Sequence, residues 1–409
     1  MMKTGIDVVE ISRISGMPRL AAFVKRVFTK EEAAYFEKKG QNRFESIAGH
    51  FAAKEAFSKY MGSGMRGFSW KDITVCHDEM DKPYLKFMGH RIAADLSISH
   101  SKTVAVAVVC GEEDALGGAN AEQIKAYCAL MPKRFDTMHK GDCGSVLIVA
   151  GSKGMTGAAA LCAMAALRCG SGLVTVGTPK SEQPILAVKL TEAMTLPLPD
   201  RDGVLSPAFL PVVLKKLEKS DVCALGPGLG AAEELWQSIG TLLATKKKTV
   251  LDADGLNALA GHINILEEPH GDVVLTPHPG EMARLCGVSV SEIAKARETI
   301  AADFARRYRV TLLLKGKNTV IASPRGEIHR NPTGNSGMAT GGMGDVLTGV
   351  IASLMGQGLD GYNAAVLGAF IHGLSGDLAA AEIGAFGMLA GDVADRIARA
   401  MALLHRFEP

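Results

Sequence analysis

The chain has 409 residues, of which 47% are hydrophobic, 22% charged and only 5% aromatic, and it carries a formal net charge of +2. Length alone predicts two or three domains, and the composition excludes a disordered or low-complexity chain. The absence of clustered basic residues interleaved with aromatics argues against nucleic acid as a partner. Apolar runs such as 104–110 and 146–150 fall short of the ~18 residues that cross a bilayer. Residues 1–10 also lack the pattern of a secretory signal, so the expectation is a cytoplasmic protein that binds no membrane.

The charge is uneven. Residues 1–110 hold 17 Lys and Arg against 12 Asp and Glu, a net +5, and the remainder holds 28 against 31, a net −3. The first part therefore suits an acidic partner. The eight cysteines, at 76, 110, 128, 143, 162, 169, 223 and 286, form no C-x-x-C pair. They read as reduced packing residues rather than a disulfide frame or a zinc site. Cys162 and Cys169 are spaced for one buried helix face.

In chain order, an apolar strand is expected at Gly5 to Ile11, helices at Ala22 to Phe36 and Ile47 to Met61, and strands at Ile73 to Val75 and Val104 to Cys110. This is a small α+β unit. Asp7 lies in the apolar run, and Glu55 sits one helical turn before Lys59. A carboxylate among apolar neighbours needs compensation, and Mg²⁺ or a cation such as Lys54 both satisfy that need. Gly111 to Asn120 is acidic, Gly-rich and without apolar period, the composition of a connection. The expected layout is one domain over 1–113, a linker over 114–120 and a second domain over 121–409.

From Gly144 the chain alternates short β-branched runs ending in glycine with Ala-rich helical stretches, the pattern of parallel strands with helical crossovers. Lys315 ends one such strand, and two prolines fix His278 at the end of another. Asp252 and Asp254 read equally as Mg²⁺ ligands or as caps for a helix over Leu256 to Leu259. Gly334 to Asp345 packs five glycines into twelve residues and runs into a helix at Val346 to Leu354. Glycines let backbone amides approach phosphate oxygens, and a helix N-terminus adds free N–H donors. Asp345 is then either the helix N-cap or a general base beside a transferring phosphoryl group, and the glycine density favours the base.

Gly342-Met343-Gly344-Asp345 resembles the Gly-x-Gly-Asp segment of the ribokinase-like superfamily. The further motifs Lys140-Gly141, Gly151 to Ala158, Gly226-Pro227-Gly228-Leu229-Gly230, Asp252 to Asn257, Thr276 to Glu281 and Lys315 to Thr319 are similar to those of the ADP-dependent NAD(P)H-hydrate dehydratases over residues 121–409. That resemblance implies an α/β domain with a mainly parallel sheet flanked by helices. It also implies repair of NADH or NADPH hydrate at the expense of ADP, giving AMP and phosphate. Carried over by position, Ala158, Gly228 or Gly230, His278 and Asp345 face the hydrated nucleotide. Lys315, Gly316, Lys317, Asn318, Thr319 and Gly344 hold the adenine nucleotide. Met343 stands where many members have Thr, and nothing in residues 1–115 resembles the hydrate epimerase domain that often precedes this family, so epimerisation falls to another protein.

Asp7, Ala48 to Lys59, Phe28 to Glu32, Gly62-Ser63-Gly64, Trp70 to Ile73, Lys82-Pro83 and Ser97 to Ser101 make residues 3–110 resemble holo-[acyl-carrier-protein] synthase, an α+β phosphopantetheinyl transferase. The resemblance implies transfer of 4′-phosphopantetheine from coenzyme A to acyl carrier protein, a step serving fatty acid biosynthesis. Asp7 and Glu55 would hold Mg²⁺, and Glu55 would help deprotonate the carrier serine. Lys59, Ser99 and His100 would contact coenzyme A, with Arg13 and Arg43 meeting the carrier. Members are typically trimers with sites between subunits, which implies a homo-oligomer. Two departures stand out: Asp81 replaces a turn Gly, and the stretch between Gly89 and Ser97, expected as a helix, is short. Two rival readings remain, a small-molecule kinase for the second domain and a noncatalytic oligomerisation module for the first.

Overall fold

The structure is a computed structural model that describes residues 2–62, 68–87, 90–92, 94–112, 121–230 and 235–405. Ser63, Gly64, Gly89 and the expected linker 114–120 lie outside the described residues. Contacts divide the chain into two compact units. One holds the described residues up to Glu112 together with 121–129 and 402–405, and the other holds Leu130–Met401.

The first unit runs β1 (Met2–Glu10), α1 (Ile11–Ser15), α2 (Leu20–Val27), α3 (Lys30–Lys38), α4 (Arg43–Tyr60), β2 (Ile73–His77), β3 (Pro83–Phe87), β4 (His90–Arg91), β5 (Asp95–His100), β6 (Val104–Glu112) and α5 (Ala121–Ala129). Two antiparallel sheets form, β1-β6-β5 and β2-β3-β4. The first is covered by α4, whose Ala48, Ala52, Ala53 and Ala56 are fully buried. Small side chains let the helix approach closely, and at Gly5 any Cβ would overlap the Ala56 carbonyl oxygen.

Two expectations fail here. The helix read as continuous from Ala22 to Phe36 breaks at Phe28–Thr29. There the Thr29 hydroxyl accepts from the Glu32 amide at 3.3 Å and Glu32 Oε2 accepts from the Thr29 amide at 2.9 Å, a capping box that starts a second helix. Among the described residues before Ser97, His90–Arg91 and residues 95–96 are strand rather than helix, and Leu96 and Ile98 turn inward with the period of two that pairs β5 with β6.

The second unit runs β7 (Ser145–Val149), α6 (Thr156–Arg168), β8 (Leu173–Pro179), α7 (Gln183–Lys189), β9 (Met194–Leu198), β10 (Asp200–Arg201), β11 (Val204–Leu205), α8 (Phe209–Leu217), β12 (Val222–Leu225), α9 (Leu235–Ala244), β13 (Lys248–Leu251) and α10 (Asp254–Leu259). It continues with β14 (Val273–Leu275), α11 (Pro279–Cys286), α12 (Val290–Lys295), α13 (Arg297–Tyr308), β15 (Thr311–Leu314), β16 (Val320–Ala322), β17 (Ile328–Arg330), α14 (Met343–Gly356), α15 (Gly361–Ile383) and α16 (Ala390–His405). The described strands form a sheet in the order β17-β16-β15-β14-β13-β12-β7-β8-β9, parallel from β9 to β15 and antiparallel at the β16–β17 edge. Leu147 and Val149 pack with Phe209, Val213, Leu235 and Ile239 on one face. Val146 and Val222 meet α14 on the other. The sheet is therefore sandwiched between helices, as expected.

α15 is 23 residues long, apolar enough to meet the length criterion for crossing a bilayer, and 83% buried over its most apolar stretch. It corrects the expectation that no segment reaches that length. Its apolar surface is used against α14 and β14 to β16. Strand order reverses between β7 and β12, since β8 and β9 add on one side and β13 to β15 on the other. Ligands of open α/β sheets sit outside the carboxyl ends of the strands at such a reversal.

Candidate active sites

The carboxyl ends of the strands are held in step by single backbone bonds just past the sheet. Gly226 N donates to Val149 O at 3.2 Å, Asp252 N to Leu225 O at 3.1 Å, Thr276 N to Leu251 O at 3.1 Å and Lys315 N to Pro277 O at 2.9 Å. The motif loops therefore leave the sheet along one edge. Asp252 is 1% exposed and accepts from Lys315 Nζ at 2.7 Å and from the Thr348 hydroxyl at 2.8 Å. Burial alone would raise its pKa, but the Lys315 ammonium holds it below the usual carboxylate value. Burial likewise opposes the charge on Lys315, and Asp252 and then Glu281 more than restore it.

Gly342, at φ 91°, is the N-cap of α14, which places Asp345 third in the helix rather than at the cap. The N-cap alternative for Asp345 is thus excluded. Its carboxyl is pushed up to about 7, first by burial and then by the Asp252 charge, against the pull of Lys315. At neutral pH such a group accepts and releases a proton with little penalty, which suits a general base. Gly344 has no side chain to spare, because a Cβ there would stand 3.2 Å from Lys315 Nζ and 3.5 Å from Asp252 Oδ2. The sequence-matched Lys315, Gly344 and Asp345 are therefore gathered at one spot, beside first-turn amides that favour anions.

The Lys315–Thr319 loop is held from behind, with Arg297 donating to the Leu314 and Lys317 carbonyls at 3.2 and 2.8 Å. Asn318 adopts φ 51°, and the Thr319 hydroxyl donates to Gly316 O at 2.9 Å. His278 N-caps α11. Its Nδ1 accepts from the Gly280 and Glu281 amides at 2.9 and 3.4 Å, which assigns the ring proton to Nε2. Nε2 faces Glu281 Oε1 at 3.4 Å with half of the side chain exposed. Ala158 and Gly228 touch, since a Cβ on Gly228 would lie 3.0 Å from that of Ala158. Gly230 N donates to Asp254 Oδ2 at 2.9 Å.

The capping reading of Asp252 and Asp254 fails, because the N-cap of α10 is Ala253 without a side-chain bond. Asp252 belongs to Lys315 and Asp254 to Gly230. Three members of this cluster were not singled out from sequence. Glu281 follows His278 at capping-box spacing and Thr348 shares a helix face with Asp345, so both were readable. His372 was not. It lies on α15, bonds the Met343 backbone, and burial lowers its pKa to about 4.

In the first unit, Lys59 Nζ donates to Asp7 Oδ1 at 2.8 Å and to Ile6 O at 3.0 Å. Burial and then the Asp7 charge raise the pKa of Glu55, against Lys59. Two carboxylates and an ammonium thus meet across β1 and α4. Two oxygen donors with surplus negative charge fit a hard divalent cation completed by phosphate and water. Lys54 does not serve these acids. It is fully buried with Glu32 Oε2 at 2.8 Å and the carbonyls of Val27, Trp70 and Ile73 at 3.0, 3.0 and 2.6 Å, so its suggested role as the compensating cation is corrected. Ser99 and His100 are exposed at the end of β5, opposite Val106 and Ala105. His100 shares a sheet face with Ile98, which pairs with Ala107, the partner of Asp7. Asp81 adopts φ 59°, the left-handed conformation that favours glycine, and its carboxylate takes Lys39 Nζ at 3.2 Å and the Tyr35 hydroxyl at 3.3 Å.

Residues 146–399 match the family model described as NAD(P)H-hydrate dehydratase, and residues 3–111 match that of the 4′-phosphopantetheinyl transferase superfamily. A bifunctional NAD(P)H-hydrate repair enzyme Nnr of Moorella thermoacetica is 50% identical over 273 residues, covering 66% of this chain and 52% of the relative. The chain thus spans about half the length of the bifunctional relatives it matches. The ADP-dependent (S)-NAD(P)H-hydrate dehydratase of Bacillus subtilis is 36% identical, covering 66% of this chain and 94% of that protein. A crystal structure of the ADP/ATP-dependent dehydratase from Bacillus subtilis, grown with ATP and Mg²⁺, superposes with a TM-score of 0.59 at 33% identity, covering 69% of this chain and 97% of that one. With Asp345, Lys315 and Gly344 at the strand ends and Asp7 and Glu55 across β1 and α4, the chain belongs to the NAD(P)H-hydrate dehydratase family and carries a domain of the 4′-phosphopantetheinyl transferase superfamily ahead of it.

Proposed function

We propose that the second unit dehydrates NADH or NADPH hydrate using ADP. Asp345 takes the proton of the hydrate's hydroxyl as its oxygen attacks the β-phosphoryl group and AMP leaves. The C–O bond then breaks with phosphate as the leaving group, driven by the ring nitrogen lone pair, and the adjacent ring carbon loses a proton to water to form the C=C bond of NAD(P)H. Lys315 and the first-turn amides of α14 stabilise charge on the phosphoryl oxygens. The Lys315–Thr319 loop and Gly344 hold the adenine nucleotide, and Ala158, Gly228, Gly230 and His278 border the hydrate. The observation that carries this reading is a carboxyl at about 7 in the first turn of α14 beside the Asp252–Lys315 pair. Phosphate release from ADP that depends on NADH hydrate and restores NADH absorbance tests it. Accumulation of a stable phosphorylated product from another substrate sinks it in favour of a kinase.

The first unit, in this proposal, transfers 4′-phosphopantetheine from coenzyme A to a serine of acyl carrier protein. Asp7 and Glu55 would hold Mg²⁺, which polarises the phosphoryl group when bound. Glu55 accepts the serine proton, Lys59 offsets phosphate charge, and Ser99 and His100 contact coenzyme A. The +5 charge of residues 1–110 steers the acidic carrier. Ile6 and Val8, more than half exposed on the face of β1 turned from α4, support association with further copies of the chain. Absence of pantetheine transfer by the full chain excludes this activity, and transfer that survives Asp7→Ala unchanged excludes Asp7 as the metal ligand.

A further inference from the structure

The reversal between β7 and β12 brings together the turns at 150–155 and 226–230, and with them a polar group that the reaction above leaves unused. Ser152 is 1% exposed, and its Oγ has no hydrogen-bond partner among the described residues. Leaving a buried hydroxyl unpaired is unfavourable. The turn that holds it is fixed. Gly151 N donates to Pro227 O at 2.9 Å, Met155 N to Ser152 O at 2.8 Å and Lys153 N to Gly203 O at 2.9 Å.

Ser152 Oγ lies 3.6 Å from the point that a Cβ on Gly230 would occupy, and Met155 Cε lies 3.7 Å from the same point. On the other side, the Gly230 amide donates to Asp254 Oδ2 at 2.9 Å. An orphaned hydroxyl and a carboxylate held by a backbone amide therefore flank Gly230. The unbranched side chain of Met155, 40% exposed, can swing away from this spot by rotation about its own bonds.

Charge decides what fits. Asp252 and Asp345 stand in the same cluster, and Lys315 lies against Asp252 rather than Asp254. A phosphate beside Asp254 meets net repulsion, whereas a neutral pair of hydroxyls donates to the carboxylate and accepts from Ser152 Oγ, while the Gly230 amide keeps Asp254 in place. Asp254 is close enough for its charge to act on Asp345, which places the subsite beside the reacting ring.

We propose that Ser152 and Asp254, the latter held by the Gly230 amide, bind the vicinal hydroxyls of the ribose on the nicotinamide side of the substrate, with Met155 moving aside. The assignment rests on the dehydratase reading of this site. It is tested on the full chain by calorimetric binding of NADH and of its analogue with 2′-deoxyribose next to the nicotinamide, alongside ADP-dependent turnover of NADH hydrate. Wild-type protein is expected to bind the ribose form about tenfold more tightly, ~1.4 kcal/mol. That preference falls below about threefold in Ser152→Ala and in Asp254→Asn. Ser152→Ala also removes an unpaired hydroxyl, so its melting temperature is expected to hold or rise, which separates lost preference from lost folding. Wild-type protein without the preference, or variants that keep it, overturns the proposal. A preference that is present while NADH hydrate is not turned over supports the diol subsite and overturns the dehydration alone.

Discussion

Lys54 and Lys315 each hold a carboxylate inside the protein, and they differ in what is left over. Around Lys54 every demand is met, with Glu32 and three carbonyl oxygens around one ammonium. Around Lys315, Asp252 takes the charge at 2.7 Å, Glu281 waits at 3.9 Å, and Asp345 is left with its carboxyl pushed up to about 7. A sealed pair fixes a fold. A pair with a surplus carboxylate beside it leaves a group ready to exchange a proton.

The largest way to break this comparison is Lys54→Met. It strands Glu32 and is expected to destabilise the first unit by about 3–5 kcal/mol, read as an early unfolding transition. Adding Glu32→Leu should recover only part of that loss, because it removes the unpaired charge but leaves the Thr29 and Val75 amides without their acceptor.

Asp345→Asn sharpens the contrast. Dehydration is expected to fall by about 10³-fold, with pantetheine transfer intact. Stability should move the other way. The folded-state pKa of Asp345 lies above its unfolded value, so folding favours the protonated carboxyl. The resulting penalty is absent below pH 3.8 and complete above about pH 7. At pH 8 the variant should be more stable by about 4 kcal/mol, and at pH 3 the difference should nearly vanish in denaturant titrations. By the same sign, wild-type dehydration rises as pH increases through about 7.

The smallest effect concerns the backbone between the two acids. Ala253 adopts φ 47° and ψ −117°, a conformation natural to glycine, and this turns Asp252 toward Lys315 and Asp254 toward Gly230. Ala253→Gly is expected to stabilise the second unit by about 1 kcal/mol. A loss of stability would show that the strain is relieved elsewhere.

Local features were legible in the sequence where chemistry and position coincide. The glycine-dense run into Asp345, the His278 loop at a strand end and the acid pair Asp7 and Glu55 all fall where expected. Long-range partnerships were not. Asp252 and Lys315 are 63 residues apart, and Lys54 and Glu32 are 22 apart on different helices. Apolar periodicity tells which face is buried, not which ion meets which. The break at Thr29 was missed because apolar residues continue in helical phase across it, although the Thr29–Glu32 capping box was there to read. β5 was missed because six residues of mixed polarity carry too little alternation to mark a strand.

The long helix α15 has a consequence for the life of the protein in a cell. Packed, its 23 residues are ordinary core. In any state where α15 leaves α14 and the sheet, the chain displays a continuous apolar segment of the length that membrane-insertion machinery and chaperones read as their own substrate. Heat, truncation or a cavity beneath α15 therefore threatens more than catalysis. It turns a metabolic enzyme into a client for quality control, and residues at the α14–α15 contact, remote from any nucleotide, should govern how much of it survives in the cell.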